Sequence, residues 1–186
     1  LTDYQNKNEA IEHELAAWQQ IVPKLHQDAV HDGMTGLFNR QYALEVLASL
    51  FGRGIPFLLC FADLDCLKQM NDIYGHTEGD RYLRTVSDQL RHAFRTDQDM
   101  LFRYGGDEFL CLIRGLSMDE VERRLTVVNE RLAKLGDEGF HLPISISYGI
   151  VDSQLFSETT RLIAEADRKM YEQKRRKRAD SDKGGV

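Results

Sequence analysis

Apolar runs and alternating positions along the chain predict the strands of one β-sheet. Residues 57–62 are continuously apolar and end at an aspartate, which is typical of a strand buried on both faces. Residues 100–113 contain two apolar runs separated by two glycines, the pattern of a β-hairpin. Residues 144–150 alternate apolar residues with serine and glycine, which predicts a half-buried strand.

Four other segments repeat apolar residues at helical spacing. Asn39 is the expected N-cap of the first helix, which ends near Gly52, and Ser117 with Glu120 forms a capping box for the third. The second helix is expected at 79–94 and the last at 157–176. The inward positions are Leu44, Leu47, Leu50 and Phe51; Leu83, Val86, Leu90 and Phe94; Val121, Leu125, Val128, Leu132 and Leu135; and Leu162, Ile163, Ala166, Met170 and Tyr171. This order predicts an α+β fold with a mostly antiparallel sheet and helices packed on it.

The two ends of the chain differ from this central domain. Residues 1–31 carry apolar residues on two heptad positions, interrupted by Pro23, and predict a coiled-coil helix that pairs two copies of the chain. The alternative is an amphipathic helix packed on its own domain. The expected division is therefore a coiled-coil signalling helix at 1–31, a catalytic-type domain at 32–178 and a disordered tail at 179–186. Because the chain starts at Leu1, we expect it to be part of a longer protein with an upstream sensor.

Composition narrows the class of function. The chain has 186 residues, a net charge of −6 and a pI near 5.5, which argues against a general nucleic-acid binder. Its three cysteines are expected to be reduced thiols in a cytoplasmic domain, two of them buried. No apolar run has the length of a membrane span, so no membrane contact is expected within this sequence, although a membrane sensor upstream would tether it.

Carboxylates follow the buried strand directly and suggest a cation site. Asp63 and Asp65 supply hard oxygen ligands of the kind that Mg²⁺ prefers in combination with phosphate oxygens. Lys68 offers a point charge for a phosphate, and no P-loop pattern is present. The alternative is structural: the two aspartates end a strand and cap a helix.

The hairpin turn carries a second acidic pair. Gly105 and Gly106 predict a two-residue turn of the type that needs positive φ, which glycine adopts without steric cost. Asp107 and Glu108 follow at once. Without further information, Asp107 and Glu108 are equally consistent with acidic residues of a solvent-exposed turn.

Two more groups have nucleotide-binding chemistry. Asn71 and Asp80 have the donors and acceptors to read a guanine edge, although Asp80 with Thr77 is also a plausible helix cap. Lys174 and Arg178 lie four residues apart on the last helix and therefore share a face that could grip phosphates. The alternative for these two is a solvated basic helix end.

Four ordered motifs resemble the GGDEF domain of diguanylate cyclases. They are Asp-x-Met-Thr-Gly-Leu-x-Asn-Arg at 32–40, Phe-x-Asp-Leu-Asp-x-Leu-Lys-x-x-Asn-Asp-x-x-Gly-His-x-x-Gly-Asp at 61–80, Arg-Tyr-Gly-Gly-Asp-Glu-Phe at 103–109 and Ala-Asp-x-x-Met-Tyr-x-x-Lys at 166–174. The resemblance covers about residues 30–178. It implies a palm-like fold similar to that of nucleotide cyclases and the condensation of two GTP into cyclic di-GMP and two pyrophosphates. It also implies a homodimer, joined through the N-terminal helix, in which each domain holds one GTP.

The resemblance assigns roles to individual residues. It implies that Mg²⁺ or Mn²⁺ is held by Asp63, Asp107 and the backbone carbonyl of Leu64, and that Asp107, Glu108 and Lys68 are the catalytic residues. The implied substrate contacts are Asn71 and Asp80 to guanine, and Lys68, Lys174, Arg178 and the backbone N–H groups of Cys66 and Leu67 to the triphosphate.

Three departures from the family pattern have consequences. Lys177 and Ala179 stand where glycine and asparagine are often found. The family's product-inhibition site is often Arg-x-x-Asp, and here Asp99 is in place but Thr96 replaces the arginine. We therefore expect weak or absent feedback. The leading hypothesis is an active diguanylate cyclase, and the alternatives are a catalytically inactive GGDEF module that binds nucleotide or a partner, and a coiled-coil dimeriser.

Overall fold

The computed structural model describes residues 27–95, 97–140 and 142–183. Residues 27–30 are helical, but most of the predicted coiled coil, residues 1–26, lies outside the described residues. The coiled coil therefore stays a prediction.

Within the described residues, five strands form one mixed sheet. They are β1 (Phe38–Asn39), β2 (Leu58–Leu64), β3 (Met100–Arg103), β4 (Glu108–Ile113) and β5 (Ile146–Asp152). Their order across the sheet is β1-β3-β4-β2-β5, and only the short pairing of β1 with β3 is parallel. This confirms the α+β prediction and places β2 inside the sheet, hydrogen-bonded to β4 on one side and β5 on the other. Polar residues at the end of β2 and at the starts of β4 and β5 are thereby brought next to one another.

Beyond the helical residues 27–30, five helices of the described part of the chain flank the sheet: α1 (Arg40–Gly52), α2 (Leu67–Tyr74), α3 (His76–Ala93), α4 (Met118–Gly139) and α5 (Thr159–Lys183), with a 3₁₀ turn at Ser153–Leu155. The sequence pattern missed α2, because its eight residues are too short to show a clear period. Helix α5 also continues to Lys183, so residues 179–183 are helical where the tail was expected to begin.

Both faces of the sheet are covered, and the two cores are separate. One core lies under α3 and α4, and the other under α1 and α5. Strand β5 was predicted to be half-buried, but this was wrong. Its alternate face, with Ser147 and Gly149, is buried as well, because the backbone of α5 passes so close that a Cβ at Gly149 would overlap the carbonyl of Ala166. This close packing brings α5 next to the end of β2.

Some details of the helix predictions are confirmed and others are corrected. The Asn39 cap and the Ser117–Glu120 capping box are both present. Leu44 and Tyr171 were expected to face inward but are exposed, at 42% and 56%. The predicted cap of Thr77 with Asp80 is absent, since α3 begins at His76 after Gly75, without a side-chain cap.

Candidate functional site

Three carboxylates from two adjacent strands lie at one edge of the sheet; we call Asp63, Asp107 and Glu108 the carboxylate cluster. Asp63 near the end of β2 is directly opposite Glu108 at the start of β4. The N–H of Leu64 donates to the carbonyl of Asp107 at 3.1 Å. Strand pairing thus brings together acids that are more than 40 positions apart in the chain.

Two members of the cluster, Asp63 and Glu108, have raised pKa values. Burial raises the pKa of Asp63 to about 6, against the opposing effect of Lys174, and the charges of Asp107 and Asp65 raise it further. The pKa of Glu108 is also raised, first by burial and then by the charges of Asp107 and Asp167. Buried like charges of this kind are stabilised when a cation binds among them.

Lys174 supplies positive charge to this edge from α5. Its ammonium donates to Asp63 Oδ1 and, at 3.3 Å, to the carbonyl of Leu64. Lys174 was expected to contact the triphosphate. In the structure it contacts Asp63 and the carbonyl of Leu64, which were expected to bind the metal. The ammonium of Lys174 therefore lies where the resemblance implies a metal ion.

The donor set fits a magnesium ion that shares its coordination with a substrate. Among the described residues, no three His, Cys, Asp or Glu side chains form a complete metal cage. Mg²⁺ in phosphoryl-transfer sites usually takes one or two carboxylates and completes its shell with water and phosphate oxygens. Asp63, Asp107 and the carbonyl of Leu64 match that requirement.

The hairpin turn differs from the predicted one. The strands stop at Arg103 and resume at Glu108, and the N–H groups of Tyr104 and Gly105 both donate to the Glu108 carbonyl, at 2.8 and 3.2 Å. Neither Gly105 nor Gly106 has positive φ, so the predicted two-residue primed turn is wrong. A Cβ at Gly105 would overlap the carboxylate of Glu108, so a larger residue there would force that flexible side chain to shift.

Arg103 holds this turn in place. Its guanidinium donates to the carbonyls of Gly106 (2.8 Å) and Gly105 (3.2 Å), and Nη1 donates to both oxygens of Asp32 at 3.2 Å. Asp32 also accepts from the N–H and hydroxyl of Thr35. Burial raises the pKa of Asp32, but these hydrogen bonds and the charge of Arg103 lower it more. The backbone that carries Asp107 is thus fixed by an ionised pair.

The turn between β2 and α2 borders an open groove of about 560 Å³. Cys66 has positive φ (61°) and provides no side-chain cap for α2, so N–H groups at the start of this helix are available to a phosphate. Lys174 and Arg178 line the groove from α5. Lys68 is exposed on the first turn of α2.

Asn71 lies in α2 and Asp80 in α3, the helix that follows it. Gly75, with φ of 84°, reverses the chain between α2 and α3. The side chain of Asn71 then lies against Gly79, where a Cβ would overlap its amide oxygen. Asp80 follows Gly79 in the same helix and is partly exposed. The pair therefore remains a candidate for base recognition.

Asp65 has a different environment from the one expected of a cation ligand. It accepts from the hydroxyls of Ser145 (2.6 Å) and Ser147 (2.7 Å) and from the ammonium of Lys177 (2.8 Å). We call these four residues the Asp65 clamp. Sequence analysis missed it, and the only signal was the serines alternating with apolar residues along β5.

The carboxylate of Asp99, like that of Asp65, already accepts hydrogen bonds from the protein. Its Oδ2 accepts from the N–H of Arg95 (2.9 Å) and its Oδ1 from the N–H of Arg114 (3.1 Å), and the residue is only 4% exposed. These contacts connect the segment before β3 to the end of β4.

Comparison with known proteins agrees with the motifs. Residues 29–180 match the family described as diguanylate cyclase, GGDEF domain. The chain is 33% identical over 158 residues to the diguanylate cyclase DosC of Escherichia coli, covering 79% of this chain and 33% of that protein. It is 29% identical over 171 residues to the diguanylate cyclase VdcA of Vibrio cholerae, covering 87% of this chain and 49% of that protein. The chain thus spans about a third to a half of these relatives.

Solved structures resemble the fold as well. The coiled coil and GGDEF domain of DgcB from Caulobacter crescentus, in complex with c-di-GMP, superposes with a TM-score of 0.82 at 22% identity, covering 92% of this chain and 94% of that chain. The diguanylate cyclase SiaD from Pseudomonas aeruginosa, in complex with its activator SiaC, gives 0.71 at 26% identity, covering 93% and 70%. Within the residues that the structure describes, no helix is long and apolar enough to cross a membrane.

Proposed function

The chain belongs to the GGDEF domain family, and on that basis we propose that it is a diguanylate cyclase domain that condenses two GTP into cyclic di-GMP and two pyrophosphates. The observation that supports this most directly is the carboxylate cluster with Lys174 at its edge. A module that only binds nucleotide does not need three partly buried acids close together. Repulsion between their negative charges destabilises the fold when no cation is present.

Asp63, Asp107 and the Leu64 carbonyl would hold Mg²⁺ or Mn²⁺. The ion would neutralise charge on the triphosphate and lower the pKa of the attacking 3′-hydroxyl. Glu108 adds negative charge that favours cation binding. Once Asp63 holds the cation, the ammonium of Lys174 would leave Asp63 and contact a phosphate oxygen, so that its charge assists the leaving pyrophosphate.

The other residues orient the substrate. Asn71 and Asp80 would bind the guanine edge, and the uncapped start of α2 at Cys66 and Leu67 would donate N–H groups to phosphates. Lys68 and Arg178 would add charge along the triphosphate. Such positioning provides much of the rate enhancement in phosphoryl transfer.

One domain offers one such groove, so the reaction needs two. We propose that two copies face each other, each with one GTP, and that the N-terminal helix pairs them and transmits an upstream signal. Pairing through a helix raises the effective concentration of the encounter. Activity per molecule should therefore rise with protein concentration until the dimer is complete.

Incubation of the chain with GTP and Mg²⁺, followed by mass spectrometry of the products, tests the proposed function. We expect cyclic di-GMP and pyrophosphate from the wild type. The Asp107→Asn variant should reduce the rate by about 10³-fold or more, because it removes one of two charged cation ligands. If the dimeric wild type binds GTP but makes no dinucleotide, the inactive GGDEF module is the correct description.

A further inference from the structure

The Asp65 clamp joins three segments that border the groove. Asp65 lies in the turn after β2, Ser145 and Ser147 lie at the start of β5, and Lys177 comes from α5. The N–H of Asp65 also donates to the Ser145 carbonyl at 2.9 Å. Each carboxylate oxygen already accepts at least one hydrogen bond, so Asp65 serves as an anchor and leaves cation binding to Asp63.

Lys177 contacts both Asp65 of this clamp and the backbone of β5. Its ammonium donates to Asp65 Oδ2 at 2.8 Å and to the carbonyl of Ile146 at 2.7 Å. These contacts lie well beyond Met170, the last of the fully buried apolar residues of α5. Because the hydrophobic contacts of α5 end before its phosphate-binding residues, polar anchors must determine where this part of the helix lies.

The two candidate phosphate residues lie on either side of this anchor along α5. Lys174 is three residues before Lys177 and Arg178 is the next residue, so a helix fixed at Lys177 has both side chains fixed in direction. Both line the groove. A loss of the anchor would let the last turns of α5 rotate or fray and would disperse these two charges.

Direct phosphate binding by Lys177 is less favourable than anchoring. To reach a phosphate, its ammonium would leave Asp65, whose side chain is only 13% exposed, with two serine hydroxyls as its remaining partners. Separating a partly buried pair in this way carries a substantial penalty.

We propose that Lys177 is a positioning residue for the nucleotide: through Asp65 and the Ile146 carbonyl it fixes α5 against the turn after β2 and so holds Lys174 and Arg178 at the triphosphate. This rests on the proposed function.

The Lys177→Met variant keeps the aliphatic side chain and removes the ammonium. Lys169→Met is a matched control, because Lys169 also donates from α5 to a β5 carbonyl, that of Ile150 at 3.0 Å, but away from the groove. We expect Lys177→Met to weaken binding of a non-hydrolysable GTP analogue about tenfold by calorimetry and to raise KM similarly, with kcat reduced less than about threefold. Lys169→Met should change affinity less than about twofold.

Hydrogen exchange without nucleotide gives a readout that is independent of catalysis. In Lys177→Met, amides of residues 174–180 and of the turn at 64–67 should exchange faster, while those of α4 should not change. The double variant Asp65→Asn, Lys177→Met should bind the analogue no more weakly than the weaker-binding single variant. The reason is that both changes break the same contact, that of Lys177 with Asp65.

Three results would overturn the proposal. Additive losses in the double variant, with unchanged exchange, would mean that Lys177 contacts phosphate directly. Equal effects of Lys169→Met would indicate general helix stability, and unchanged affinity in Lys177→Met would show that the anchor does not act on the nucleotide. Failure of the proposed function looks different: GTP binds with the expected dependence on Lys177, but no dinucleotide forms. Absence of GTP binding by the wild type would overturn both.

Discussion

Asp63 and Asp65 are two residues apart on the same strand end, but their environments are opposite. Asp63 is crowded by other acids, with a pKa raised to about 6 by burial and neighbouring charge. Asp65 has three donors within 2.8 Å. The difference separates two tasks at this edge of the sheet. In the proposed function, Asp63, which keeps a raised pKa although it is paired with Lys174, binds the cation, and Asp65 fixes the surrounding segments so that Asp63 stays in place.

Replacement of Asp63 and of Asp65 by asparagine should have opposite effects on stability, and this is the largest contrast we expect. Asp63→Asn should reduce cyclase activity by about 10³-fold or more, because a charged ligand is lost. It should also raise the free energy of unfolding of the metal-free protein at about pH 8, by roughly 1–3 kcal/mol, since an ionised side chain with a raised pKa is replaced by a neutral one.

The pH dependence follows from the sign of the shift. A carboxyl whose folded pKa is raised from 3.8 to about 6 stabilises the fold below its unfolded pKa, and this stabilisation is lost as pH rises through 6. The gain from Asp63→Asn should therefore be full at about pH 8 and absent at about pH 4. Denaturant unfolding in the presence of a chelator measures it.

The Asp65→Asn variant is the control. It should lose roughly 1–3 kcal/mol of stability at about pH 8, because the charged hydrogen bond from Lys177 is broken. If both variants destabilise the protein equally, the contrast between a carboxylate with a raised pKa and an anchored carboxylate is incorrect.

Arg103 anchors the other half of the carboxylate cluster, and its replacement should have an intermediate effect. Arg103→Lys keeps the charge but loses the planar group that binds Asp32 and the carbonyls of Gly105 and Gly106 together. We expect kcat to fall by about 10- to 100-fold, since Asp107 is displaced but not removed.

A matched control for Arg103 is Arg168→Lys, which alters an exposed ion pair with Glu165 and Glu172 on α5. It should leave kcat unchanged within about twofold. Steady-state kinetics with a fixed, dimeric protein concentration distinguishes the two. If Arg103→Lys has full activity, the turn does not depend on its guanidinium.

The sequence predicted the parts of the molecule that depend on local pattern. The buried strand at Asp63, the hairpin at Arg103–Glu108 and the Ser117 capping box follow from runs, turns and caps that neighbouring residues determine. Resemblance to the family then named Asp63 and Asp107 together, and the pairing of β2 with β4 brings them to one edge.

What the sequence could not predict depends on contacts between distant segments. Lys177 reaches Asp65 across 112 positions, and no local period reports such a pair. The carboxylate of Glu108 lies where a Cβ at Gly105 would be, a contact that turn rules do not include. The second buried face of β5 depends on the close passage of α5 over Gly149, which the alternation of small residues there did not reveal.

Replacement of Asp99 should have the smallest effect on ligand binding. Like Asp65, Asp99 is held by hydrogen bonds within the protein. Both of its oxygens already accept backbone N–H groups, from Arg95 and Arg114, and Thr96 replaces the arginine expected of a product-inhibition site. We expect weak or absent inhibition by cyclic di-GMP and a change of less than about twofold in its half-inhibitory concentration on Asp99→Asn, with stability lowered by roughly 1–2 kcal/mol. Inhibition titrations and unfolding curves on both proteins measure this. Tight binding of cyclic di-GMP that disappears in Asp99→Asn would show that an anchored carboxylate can also recognise a ligand, and the distinction drawn between Asp63 and Asp65 would then not extend to the rest of the domain.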